Sequence, residues 1–106
     1  MTDARIALTT VALHESALTI ARTLVNEHLT ACVNITSAVE SIYFWEGKVE
    51  QALEYVLIMK TTADKVDALR ERLMKLHAYE VPEFVVLPVE SGSEAYLNWI
   101  RKSVSV

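Results

Sequence analysis

SIYFWEGKVEQALEYVLIMK, residues Ser41–Lys60, is the stretch on which the fold turns. From Val49 to Lys60 the chain alternates. Leu53, Tyr55, Leu57 and Met59 occupy one face, and Val56 and Ile58 the other, which predicts a long strand with both faces partly covered. Glu46-Gly47-Lys48 reads as a turn, with Gly47 the residue that takes a positive φ cheaply. Before the turn, Ala31–Ile35 and then Val39, Ile42, Tyr43, Phe44 and Trp45 carry strand composition. Two arms of twelve to fifteen residues would reach roughly 40–50 Å at ~3.3 Å per residue. A domain of this length is only about 33 Å across, from a radius of gyration of ~13 Å. Either the arms bend, at bulges near Thr36–Glu40, or the hairpin projects. A projecting ribbon bearing Tyr43, Phe44 and Trp45 needs a neighbour to pack on.

Outward from the hairpin, the period changes on both sides. Ile6, Leu8, Thr9, Thr10 and Val11 form a β-prone run. From His14, Ala17, Ile20, Ala21, Leu24, Val25 and Leu29 follow helical spacing. After Lys60, Thr61 or Thr62 is expected to cap a helix whose buried stripe is Val66, Leu69, Leu73 and Leu76. His77 closes it, and Ala78–Glu83 is a loop. Phe84–Leu87 is a strand ended near Pro88, and Ser91 or Ser93 caps a last helix with Tyr96, Leu97 and Ile100 inward. The order β-α-β-β-α-β-α predicts an α/β (α+β) fold, the ferredoxin-like split βαβ sandwich, with a long β-hairpin and an extra C-terminal helix.

The composition narrows the possible partners. The chain has 106 residues, 52% of them hydrophobic, with two Gly and two Pro, which suits a single domain over residues 1–106. So high an apolar share in so small a domain predicts that some of it faces another subunit. Fourteen acidic against ten basic residues give a net charge of −4 with no basic run. Sequence-independent nucleic-acid binding and an anionic membrane surface are therefore set aside. No apolar run approaches the ~20 residues that cross a bilayer, and Met1–Arg5 lacks the pattern of a signal peptide. The single Cys32 makes no intrachain disulfide, and a cytoplasmic protein is expected.

Five strings together resemble one family: ACVNI (Ala31–Ile35), SIYFWEGKVE (Ser41–Glu50), KTTAD (Lys60–Asp64), LHAYEVPE (Leu76–Glu83) and LPVESGSEAYLNWI (Leu87–Ile100). They are similar, in register from about Ile6 to Ile100, to the CutA family of divalent-cation tolerance proteins. The resemblance implies a ferredoxin-like fold and a tight homotrimer in which the long hairpin extends a neighbouring subunit's sheet, as in the PII signalling proteins. It also implies a role in copper or divalent-cation tolerance. Family copper ligands are a cysteine on the first strand and a histidine pair ending the second long helix. This chain has Thr9 and Leu76-His77 there, so only His77 is carried over. One imidazole is not a site, because copper needs several converging N, S or O donors. Ala78 stands where the family usually has proline.

The residues that remain candidates are few. His77 is the candidate metal ligand for copper or another divalent cation. Lys60, Tyr79 and Glu80, with Tyr43 and Trp45, are the candidate pocket for a small anionic ligand, Lys60 supplying the charge and the aromatics a stacking surface. The favoured reading is that those aromatics fill a subunit interface, and a pocket between subunits would satisfy both. His77 with Glu80 or Glu83 as acid and base is the enzymatic reading, but no nucleophile–base–orienter set follows from spacing and no catalytic residue is assigned. Cys32 is expected to be buried, and His14 and His28 to be solvated at the two ends of the first helix. The leading function is a non-enzymatic trimer of cation tolerance. The alternative is a PII-like sensor of a small anionic metabolite.

Overall fold

In the computed structural model, residues 1–105 are described; Val106, the last residue of the expected domain, lies outside them. The elements are β1 (Ala4–Val11), α1 (His14–Asn26), β2 (Cys32–Ile35), β3 (Val39–Trp45), β4 (Lys48–Thr62), a 3₁₀ turn (Ala63–Lys65), α2 (Val66–Leu76), β5 (Val85–Pro88) and α3 (Glu94–Val104). All pairing is antiparallel. The order β2-β4-β1-β5, with β3 also on β4, is that of a split βαβ sandwich.

Alternation along the strands sorts the side chains. Ala7, Val11, Leu57 and Met59 point to the face covered by α1 and α2 and close a core with Ala17, Ile20, Leu24, Leu69 and Leu73. Each Leu, Ile, Val or Met among them contributes about 1.5–3 kcal/mol by leaving water. α3 packs at one end of the sheet, where Leu97, Ile100 and Val104 enclose Ala4 and Ala31. The remainder of the opposite face has no helix over it.

The first helix ends three residues earlier than the spacing of Leu29 suggests. His28 takes a left-handed φ of 60°, and the amides of His28 and Leu29 donate to the carbonyls of Val25 and Leu24. That Schellman closure satisfies the last carbonyls and turns Leu29 back onto the core. At the start of α2 neither threonine caps the helix by a side-chain bond. Thr61 stays in β4 with its hydroxyl donated to Leu29 O at 2.7 Å, and Thr62 donates to Asp64. Ser93 does cap α3, accepting from Tyr96 N.

Both resolutions of the arm-length problem occur together. The first arm breaks at residues 36–38: Ile35 faces Leu57, while Val39 faces Glu54. Three residues there oppose two, a bulge that bends the ribbon. Thr36 bridges it, its amide donating to Val56 O and its hydroxyl accepting from Val56 N, each at 3.0 Å. Beyond the bulge the β3–β4 hairpin projects, and the molecule measures 44 × 26 × 24 Å. Glu46 and Gly47 both have positive φ, 48° and 79°, as a two-residue type I′ hairpin turn requires.

Candidate functional site

The open side of the hairpin base brings together several of the chemistry-bearing residues named above. Tyr43 and Trp45 of β3 share a face with Glu54 of β4, by the register Val39↔Glu54 through Trp45↔Lys48. The loop after α2 lies against that face and brings Tyr79, Glu80 and Glu83. Together they line a cavity of about 630 Å³, with Thr10, Ser41, Ile42 and Val81 completing the wall.

Tyr79 is fixed at both ends. Its hydroxyl donates to Glu54 Oε2 at 2.6 Å, and its amide donates to His77 Nδ1 at 3.2 Å. His77 Nε2 lies 2.7 Å from Thr10 O. A carbonyl only accepts, so Nε2 carries the proton and Nδ1 is the acceptor. The rings of His77 and Tyr79 lie 4.7 Å apart and tilted. His77 therefore works as a latch that ties the loop to the end of β1. Burial pushes the Tyr79 phenol well above its ordinary range, and the Glu54 carboxylate beside it adds to the shift. Tyr79 is thereby held as a hydrogen-bond donor.

This arrangement separates the candidates. Tyr79 and Glu80 come together, joined by Tyr43, Trp45 and Glu83. Lys60 does not join them. It lies at the far end of the sheet, its ammonium donating to Tyr96 Oη at 3.3 Å and lying over that ring. The grouping failed because Lys60 and Tyr43 are separated along the length of β4, and the projecting hairpin carries the aromatics away. The pocket consequently contains Glu54, Glu80 and Glu83 and no Lys, Arg or His, an electrostatic lining that repels anions. His77 as a metal ligand meets a specific obstacle: both ring nitrogens are occupied by backbone groups. A metal would have to break the latch to use either. Among the described residues no group of three or more His, Cys, Asp or Glu side chains is placed to hold a metal ion.

Glu54 is the member of this candidate site that sequence reading missed. It is only 7% exposed, a carboxylate just before the apolar run Tyr55–Met59 of β4. Its signal was available: an acidic residue on the same alternation as Val56 and Ile58 needs a partner. Thr9, at the family's cysteine position, is 0% exposed and its hydroxyl has no hydrogen-bond partner. Cys32 is half-buried rather than buried; it lies on the sheet face opposite α1 and α2, which α3 covers only in part. His28 is exposed, with Nδ1 3.1 Å from Ser103 O.

The family model described as CutA1 divalent ion tolerance protein matches residues 5–103. The divalent-cation tolerance protein CutA of Thermus thermophilus is 46% identical over 98 residues, which span 92% of this chain and 95% of that protein. A solved structure of the Thermus protein matches with a TM-score of 0.92, covering 94% of this chain and 97% of that one. CutA from Xylella fastidiosa reaches a TM-score of 0.95 at 38% identity, covering 97% and 99%. The periplasmic divalent cation tolerance protein CutA of Archaeoglobus fulgidus matches at 0.92 and 35% identity, covering 95% and 98%. With sequence and fold matched over nearly the whole length, the chain belongs to the CutA1 family of divalent ion tolerance proteins.

Proposed function

We propose that this chain works in divalent-cation tolerance as a homotrimer that catalyses no reaction and holds copper or another divalent cation only weakly. One observation carries the assembly. Ile42, Phe44, Val49 and Leu53 of the hairpin are 68%, 71%, 70% and 62% exposed, and they share one face of it. Soluble monomers rarely leave so contiguous an apolar surface in water. A neighbouring copy is its natural cover, and three copies is the number the CutA resemblance implies. Weak rather than tight ion binding is supported by the engaged nitrogens of His77 and by carboxylates that do not converge. His77, the candidate acid–base group, has both ring nitrogens engaged by backbone groups, which supports a non-enzymatic role. A cytosolic setting belongs to this reading on the strength of the unpaired Cys32, although the Archaeoglobus relative is described as periplasmic.

Light scattering and copper calorimetry on one sample test both halves. The expected mass is three times the 11.9 kDa subunit, with copper heats too weak to saturate at one ion per subunit. A monomeric mass would overturn the assembly. Tight binding of one copper per subunit would overturn the weak-ion reading.

A further inference from the structure

The cavity between hairpin and loop has a chemistry that metal tolerance does not use. Its walls are the rings of Tyr43, Trp45 and Tyr79, and its charged groups are Glu54, Glu80 and Glu83. The volume, about 630 Å³, is that of a small-molecule pocket rather than an ion site. Glu54 is the informative member. The residue is 93% removed from water by its 7% exposure, and Oε2 accepts from Tyr79 at 2.6 Å. The Tyr79 hydroxyl is the carboxylate's one side-chain hydrogen-bond partner among the described residues, and Glu54 lines the cavity. A carboxylate so largely removed from water, with a single neutral donor as partner, is stabilised by a cation arriving beside it. Glu80 and Glu83 on the loop add attraction of the same sign. A bare metal ion fits poorly, since among the described residues no three ligand side chains converge. Aromatic faces beside carboxylates instead match a cation with an organic surface, which the rings hold by cation–π contact and the carboxylates by charge.

We propose that this cavity binds a small organic ammonium compound, an amine or quaternary ammonium, with its charged nitrogen between Glu54 and the aromatic rings. The inference does not rest on the copper or trimer readings, and either can fail without it. Trp45 supplies the signal. In a Trp99→Phe background, which removes the chain's other tryptophan from the remote helix α3, Trp45 fluorescence is titrated with tetramethylammonium and with 1,4-diaminobutane. Sodium, magnesium and inorganic phosphate at matched ionic strength are the comparison. The expected result is a saturable change with an ammonium probe that sodium and magnesium do not give. Glu54→Gln, which keeps an oxygen for the Tyr79 hydroxyl, should weaken it at least about fivefold, since one nearby charge is removed. Glu83→Gln, on the exposed loop, should weaken it less but measurably, and it stands in should Glu54→Gln fold poorly. A flat titration of the parent protein, as when a neighbouring copy's side chain fills the cavity, overturns the proposal. So does ammonium binding unchanged in both Gln variants, or saturation by phosphate instead.

Discussion

Strand β4 is two strands in physical terms. On one alternation, Leu57 and Met59 are 0% exposed beneath α1 and α2, while Val49 and Leu53 on the same alternation are largely in water. On this alternation apolar side chains continue through both halves, with Gln51 the polar exception; what changes most is what lies over them. In the covered half the chain supplies its own roof. In the projecting half no described element lies over that face. Periodicity reports which way a side chain points, and only the path of the rest of the chain reports whether anything meets it.

The largest effect that sharpens this contrast is in the covered half. Leu57→Ala leaves a cavity in a core with no route to collapse, and should cost about 2–5 kcal/mol in urea denaturation. Leu53→Ala in the projecting half should cost little within a single subunit. If both lose stability equally in a sample shown to be monomeric, the two halves do not differ as described.

Next in size is the projecting half itself. Phe44→Asp together with Leu53→Asp places two charges on the exposed apolar face of the hairpin. Each apolar side chain buried against a neighbour is worth roughly 1.5–3 kcal/mol, so the pair should shift the mass from trimer to the 11.9 kDa subunit. Circular dichroism should remain that of a mixed α/β protein. A double variant that stays trimeric places the interface elsewhere.

A smaller effect reads the contact between hairpin base and loop. Tyr79→Phe removes the bond to Glu54 and should cost about 1–3 kcal/mol, the range for a hydrogen bond with a carboxylate partner. The pH dependence has a definite sign. Tyr79 is raised above the ordinary phenol value of 10.0 in the folded protein, so the folded state holds its proton more tightly than the unfolded. Its contribution is fully present below that value and is lost as pH rises above it. The stability difference between parent and Tyr79→Phe should therefore be flat to about pH 10 and shrink beyond. A difference that grows with pH would contradict the donor role of Tyr79.

The fold was largely legible because its determinants are local. Alternation in β1 and β4, the helical stripes of α1 and α2, Gly47 in the hairpin turn and Ser93 as a cap are each readable within a few residues. The early end of α1 was not, since His28 is a side chain that does not announce a left-handed φ. The bulge at residues 36–38 was half legible: arm length demanded a bend without fixing the register. The site was legible as types rather than positions. Tyr43, Trp45, Tyr79 and Glu80 meet because they flank one end of the sheet, whereas Lys60 shares β4 with the hairpin yet lies against Tyr96. Distance along a fifteen-residue strand separates residues that one motif seemed to unite.

The smallest effect returns to the covered half, and is a gain. Thr9 faces Leu57 in register and is fully enclosed, yet its hydroxyl is unpaired. A buried unpaired hydroxyl costs about 1–3 kcal/mol, so Thr9→Val, nearly the same shape without the oxygen, should raise stability by roughly 1 kcal/mol. Thr9→Cys restores the residue type that the CutA resemblance places there. A thiol so enclosed is out of reach of solvent, and His77 has no nitrogen free to join it. Copper affinity in that variant should therefore stay at the parent's level. A tight copper site created by Thr9→Cys alone would show that the His77 latch opens for a metal, and that the covered half is less closed than its packing indicates.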